Sequence, residues 1–142
     1  MTAPISRSPA QPVQKAIYDR LTGDDTLMAL VEGVYDQVPE DKAYPWVRIG
    51  DHLSTPDNDL TSYGREITET IHVWTRTRRN SQGQQIAARI GELLDHQERE
   101  LDVAGHRVVS IRQEYDQALP DPDPQIRHHV LRFRITTEQE EE

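Results

Sequence analysis

The stretch Arg65–Trp74, REITETIHVW, alternates at period two. Ile67, Ile71 and Val73 fall on one face, and Thr68, Thr70, His72 and Trp74 fall on the other. This is the pattern of a strand with one face against a core. Glu69 interrupts the apolar row, where a buried strand would carry Val or Leu. Two explanations fit. The row lies at the rim of a core, with the carboxylate reaching water. Or the face meets a second protein chain, where a basic residue such as Arg132, Arg134 or Arg48 answers the charge. Burying the carboxylate without a partner is disfavoured, because desolvating an ion costs several kcal/mol.

The neighbouring segments read the same way. Pro45 opens a strand over Trp46–Asp51, with Val47 and Ile49 on one face, and Val34–Val38 is a shorter strand. Near the end of the chain, Leu131, Phe133 and Ile135 alternate with Val130, Arg132 and Arg134. Between them, Glu100–Tyr115 reads as a hairpin turning at Ala104–Gly105, with Leu101 and Val103 before the turn and Val109 and Ile111 together after it. Helical spacing appears three times. Val13, Ala16, Ile17 and Leu21 share one face, behind Pro12 in a first turn that needs no N–H there. Asp24 or Asp25 caps a short helix through Leu27, Met28, Leu30 and Val31, closed by Gly33. Asn80 or Ser81 caps a third, striped by Ile86, Ala87, Ile90, Leu93 and Leu94. Gly91 inside that helix costs about 1 kcal/mol against Ala, which a close approach to the sheet would explain.

The order is two helices, strands, a helix, then strands. It predicts an α+β fold: a mostly antiparallel sheet of about four to five strands with two to three helices packed on one face. Residues 1–11 read as a flexible arm, 12–137 as a single domain and 138–142 as an acidic tail. Two long polar loops, 53–64 and 117–125, stand out, the second crowded by Pro120, Pro122 and Pro124.

Composition narrows the function. The 142 residues carry a formal charge of −9, from 25 acidic and 16 basic side chains. An acidic chain is a poor candidate for gripping nucleic acid, which needs clustered Lys and Arg. There is no Cys, hence no disulfide framework or thiolate metal site. No segment approaches the ~18 consecutive apolar residues that span a membrane, and the first residues lack a signal-type apolar run.

No reactive constellation emerges. His128 and His129 are adjacent in a strand and so point to opposite faces, and His72 stands alone among Thr and Trp. Neither Asp57–Asp59 nor Asp121–Pro124 has the offsets of a calcium loop. The basic group Arg76, Arg78 and Arg79 reads either as a solvated connection or as a contact patch for an acidic partner. A small hydrolase using scattered carboxylates is the reading of another class, and no spacing singles out a pair.

The segments YDQVPEDKAYPWVRIGD (35–51), GREITETIHVWTR (64–76), IAARIGELL (86–94) and HHVLRFRITTE (128–138) follow one another in an order that resembles the tail-completion family of long-tailed phages and related gene transfer agents. Its members are also called tail terminators or tail-to-head joining proteins. The resemblance spans about residues 13–137. It implies a ring, usually of six subunits, that caps the head-proximal end of the tail tube, stops its growth and offers the filled head a docking surface. The implied partners are copies of the chain, the tube protein and a connector or head-closure protein, with DNA only passing through the lumen. The implied location is the virion, after assembly in the host cytoplasm. The resemblance implies no catalysis and no cofactor. It leads to an apolar residue at position 69, where this chain has Glu. A neck adaptor or head-closure subunit is the neighbouring alternative. The contact residues expected on this basis are Thr55, Asp57, Asp59 and Tyr63 in the first loop and Asp121 and Asp123 in the second. Arg76, Arg78 and Arg79 follow in the basic connection, with Glu69, Arg132 and Arg134 on the sheet.

Overall fold

A computed structural model describes residues 5–140. Five strands form one sheet in the order β1-β2-β3-β5-β4: β1 Gly33–Tyr35, β2 Trp46–Pro56, β3 Gly64–Arg76, β4 His106–Leu119 and β5 Ile126–Gln139. Helices α1 (Ala10–Thr22), α2 (Asp25–Met28) and α3 (Ser81–Leu94) accompany it, with a short 3-10 turn at Glu98–Glu100. Only β1 and β2 run parallel; the other three pairings are antiparallel. The fold is the expected α+β architecture.

β3 lies at the centre. Its partners run from Trp46↔Trp74 to Pro56↔Arg65 on β2 and from Gly64↔Glu138 to Arg76↔Ile126 on β5. The apolar row of β3 is continued by Val47 and Ile49 on β2 and by Leu131, Phe133 and Ile135 on β5, all buried. Val13, Ile17 and Leu21 of α1 and Ile86, Ile90 and Leu94 of α3 close over this face. The helices are tied together by charge-assisted bonds. Asp24 accepts from the Leu27 amide at 2.8 Å, capping α2, and also receives a forked pair from Arg89 of α3 at 2.9 and 2.7 Å. This holds the Asp24 carboxyl below its ordinary pKa, chiefly through the Arg89 bond. Arg20 Nε donates to the Leu93 carbonyl at 3.0 Å, joining α1 to the end of α3.

Several boundaries differ from the sequence reading. α1 begins at Ala10, two residues before Pro12. Residues 1–4 of the expected arm and 141–142 of the expected tail lie outside the described residues. The rest of the arm is tied down: the Arg7 amide donates to Gln139 Oε1 at 2.7 Å and Gln139 Nε2 donates to the Ile5 carbonyl at 2.8 Å. α2 stops at Met28, and Gly33 opens β1 instead of closing a helix. Asn80 occupies the cap position of α3 without a side-chain cap bond. β2 continues to Pro56, so Thr55 belongs to a strand and the loop shrinks to 57–63. β4 continues to Leu119, so the proline-rich loop is 120–125.

The hairpin expected at Glu100–Tyr115 does not form. Leu101 and Val103 are buried but belong to no strand, and β4 pairs with β5 instead. Within β4, a bulge between Val108 and Ser110 shifts the alternation by one residue. Val108 and Ile111 therefore share the core face, while Val109 is 43% exposed.

The close approach of α3 to the sheet is at Gly83, not at Gly91. A Cβ on Gly83 would sit 2.2 Å from the ring of His129, a buried side chain on the core face. At Gly91 the nearest atom is the far end of the Gln113 side chain, at 2.9 Å, which can move. Gly83→Ala is therefore expected to cost about 1–3 kcal/mol from overpacking. Gly91→Ala is expected to be neutral or to gain up to about 1 kcal/mol of helix propensity. Urea unfolding of the two variants beside the parent checks the contrast; equal effects would refute it.

Candidate functional site

One face of the sheet is covered by helices and the other is open. The strand pairings place the loop 57–63 at one end of the sheet, here called the upper end, beside Glu138 and His106. The starts of β2 and β5, the end of β3 and the loop 120–125 all lie at the opposite, lower end. The two loops singled out in the sequence therefore project from opposite ends.

Across the lower end of the open face, Trp46, Trp74, His128 and Leu119 stand in register on four strands. Trp74 stacks on His128 with centroids 3.8 Å apart and planes at 9°, and Trp46 lies 5.6 Å from Trp74. Tyr44 extends the row, 5.9 Å from Trp46. His72 is not alone, contrary to the sequence reading. Its Nδ1 is 2.8 Å from His128 Nε2, and its Nε2 is 3.1 Å from Asp51 Oδ2. The sequence hides this group because the pairing is diagonal across β3 and β5. Burial holds His128 down to about 4, with a smaller push from His72. Asp51 reaches the group because a bulge between Ile49 and His52 leaves it unpaired, with φ 59.

Above this row the open face is ionic. Arg132 Nε is 3.0 Å from Glu114, and Arg134 bonds Glu114 at 2.9 Å and lies 3.5 Å from Glu66. Both arginines are thus committed within the chain, on the face opposite Glu69. Arg48 lies 3.8 Å from Asp51.

Glu69 is only 2% exposed. Both explanations drawn from the sequence assume a carboxylate at a surface, and burial removes that assumption. Among the described residues no ion pair or hydrogen bond engages it. Instead, burial raises its pKa to about 8, helped by the charges of Asp36 and Asp51. The side chain sits in the apolar row as a neutral acid over most of the physiological range, which avoids the cost of a buried ion.

The remaining expected contact residues are at the two ends. Asp57, Asp59 and Tyr63 lie at the upper end, where Asp59 Oδ1 accepts from the Thr61 and Ser62 amides at 2.8 and 2.7 Å. Thr55, in β2, donates to the Glu66 carbonyl at 3.4 Å. Sequence reading missed Leu60, fully exposed at the tip, and Leu53, 60% exposed on the strand leading to it. The available signal was an isolated Leu within the polar run PDNDLTSYG. Arg76, Arg78 and Arg79 lie at the lower end with Asp121 and Asp123, and no ion pair among the described residues joins the two groups. No cluster of three or more metal-ligating side chains occurs among the described residues.

The profile of the family described as tail completion protein gp17 matches residues 15–138. The chain belongs to this family. It is 33% identical over 124 residues to the tail completion protein gp17 of Bacillus phage SPP1, covering 87% of this chain and 90% of that protein. The solved structure of bacteriophage SPP1 gp17 matches at 31% identity and a TM-score of 0.64, covering 89% of each chain. A chain in the virion of a native gene transfer agent particle matches with a TM-score of 0.85 and 27% identity, over 94% of this chain and 99% of that one. The membership implied by the sequence resemblance is thus shown, and it is a structural family, not an enzyme class.

Glu69 is expected to make the stability of this chain pH-dependent. Its folded pKa, about 8, exceeds the ordinary 4.5. The native state therefore keeps a proton that the unfolded chain releases. The contribution is full below pH 4.5 and is lost as pH rises towards 8, by up to about 5 kcal/mol. Glu69→Gln is expected to flatten stability across this window and to be the more stable protein at pH 8. Denaturation curves from pH 5 to about 8 measure this; parallel profiles would refute it.

Proposed function

We propose that the chain is a tail terminator, a ring of six copies that caps the head-proximal end of the tail tube. It ends tube polymerisation and gives a connector or head-closure protein its docking surface, within a virion assembled in the host cytoplasm. The observation that carries this is the polarity of the sheet. The upper end presents Leu60 beside Asp57 and Asp59; the lower end presents Arg76, Arg78 and Arg79 together with Asp121 and Asp123. A subunit stacked between two different neighbours needs two different ends on one rigid body, and β3 runs between them as a strand paired on both sides. The names of its relatives, a tail completion protein and a chain of a gene transfer agent virion, agree with this reading.

Net charge supports passage of DNA. Six copies at −9 each carry about −54, and an acidic lumen repels the phosphate backbone and keeps it sliding. On the open face the Trp74–His128 stack and the Glu114 pairs with Arg132 and Arg134 engage these side chains within the chain. A head-closure role in the same neck shares the ring but not control of tube length.

Deleting the gene and imaging the lysate by electron microscopy separates these. Overlong or unattached tubes beside filled, tailless heads are expected for a terminator. Tubes of normal length that fail to attach would assign the chain to head closure. Normal infectious particles would remove it from the neck.

A further inference from the structure

The lower end holds a cleft of about 770 Å³ that the function above leaves unused. Its lining includes Pro39, Tyr44, Pro45 and Trp46 together with the charged Asp41, Lys42 and Arg76. Lys42 Nζ stands 5.7 Å over the ring of Tyr35. Its interactions with Tyr35, and more weakly the charge of Glu32, hold its pKa above the ordinary value, and it makes no ion pair among the described residues. Arg76 likewise makes no ion pair there. The cleft thus offers aromatic and proline surface with two cations, Lys42 and Arg76, that make no ion pair among the described residues, and one lining acid, Asp41.

The same end of the molecule carries a segment of matching chemistry. The loop 120–125, PDPDPQ, alternates proline and aspartate. Proline fixes φ and removes donors, which restricts the loop, and Pro120, Pro122 and Pro124 are exposed on it. Asp121 and Asp123 each spend one oxygen locally, accepting from the amides of Asp123 and Gln125 at 2.9 Å. Neither makes an ion pair among the described residues.

Topology sets loop and cleft on different sides. The loop joins β4 to β5 at one edge of the sheet, while the cleft lies beside β1 and the start of β2 at the other. Trp46, in the cleft, and Leu119, beside the loop, are the ends of one cross-strand row. The two features therefore share a height, three strand spacings or about 14 Å apart. In a head-to-tail ring whose axis runs along the strands and whose copies meet at the two sheet edges, the β4 side of each copy faces the β1–β2 side of the next at equal height, because ring closure allows no net rise.

We propose that the loop 120–125 of each copy docks in the cleft of its neighbour, prolines on Tyr44 and Trp46 and Asp121 and Asp123 against Lys42 and Arg76. The loop is then a lateral contact between copies, not a contact with tube or connector. This rests on the ring reading and names the contact that closes the ring.

The chain has no native cysteine, so a pair can be introduced cleanly. Asp123→Cys and Lys42→Cys are placed together in the full chain, which is assembled into particles and oxidised. Non-reducing gels are expected to show a ladder of linked copies up to the full ring, absent from either single variant. Normal particles in which the double variant runs as a monomer, with or without an internal disulfide, would overturn the contact and leave the ring reading standing. Absence of the wild-type chain from particles would overturn the ring reading itself. Charge reversal guards against a misfolded cysteine variant. Asp121→Lys with Asp123→Lys, or Lys42→Glu with Arg76→Glu, is expected to lose joined particles, and the four together to regain them. No regain from folded chains would also overturn the contact.

Discussion

β3 is hydrogen-bonded on both sides along nearly its whole length, and this double pairing sets the facing and height of the other long strands. Its buried row decides which face the helices cover. Its outward row decides what stands on the open face. Its length separates the two loops that leave the sheet at opposite ends. Shifting β3 by one residue would send Ile67, Ile71 and Val73 to the open face and Trp74 inward, so the register is strongly specified.

The edges of the sheet are handled differently. On β4, the outward groups near the middle are already used: the Gln113 amide donates to Asp95 at 2.8 Å, the Ile111 amide to Glu98 at 3.2 Å, and the His96 amide to the Ile111 carbonyl at 3.0 Å. Glu98 is also gripped by Arg112, the main cause of its pKa falling to about 2. Such a capped edge resists strand addition. β1 pairs only with Trp46–Arg48, so the upper half of β2 lacks an outer neighbour strand. With one edge blocked, side-chain docking of the proline loop is a better way to join copies than continuing the sheet between them.

Glu69 shows how one substitution in a core row can be tolerated. A carboxylate opposite Phe133, in a row otherwise of Ile and Val, would be intolerable as an ion. As a neutral acid it is a polar side chain of ordinary size. The penalty moves from structure to proton uptake, and so surfaces as a dependence of stability on pH.

The sequence by itself determined the helical stripes, the alternation of β3 and β5, the α+β class and, through the order of its segments, the family. These depend on neighbours close in the chain, or on composition. Only the tertiary structure decided the rest. The bulges in β2 and β4 shift which residues face inward, and no local pattern announces an extra residue in a strand. Leu101 and Val103 are buried in the core without joining a strand, and β4 pairs with β5. His72 met His128 and Asp51, and α3 met His129 at Gly83, through contacts between segments distant in sequence. The opposite placement of the two loops followed from the strand order, which is set by which faces bury together and not by the loops themselves.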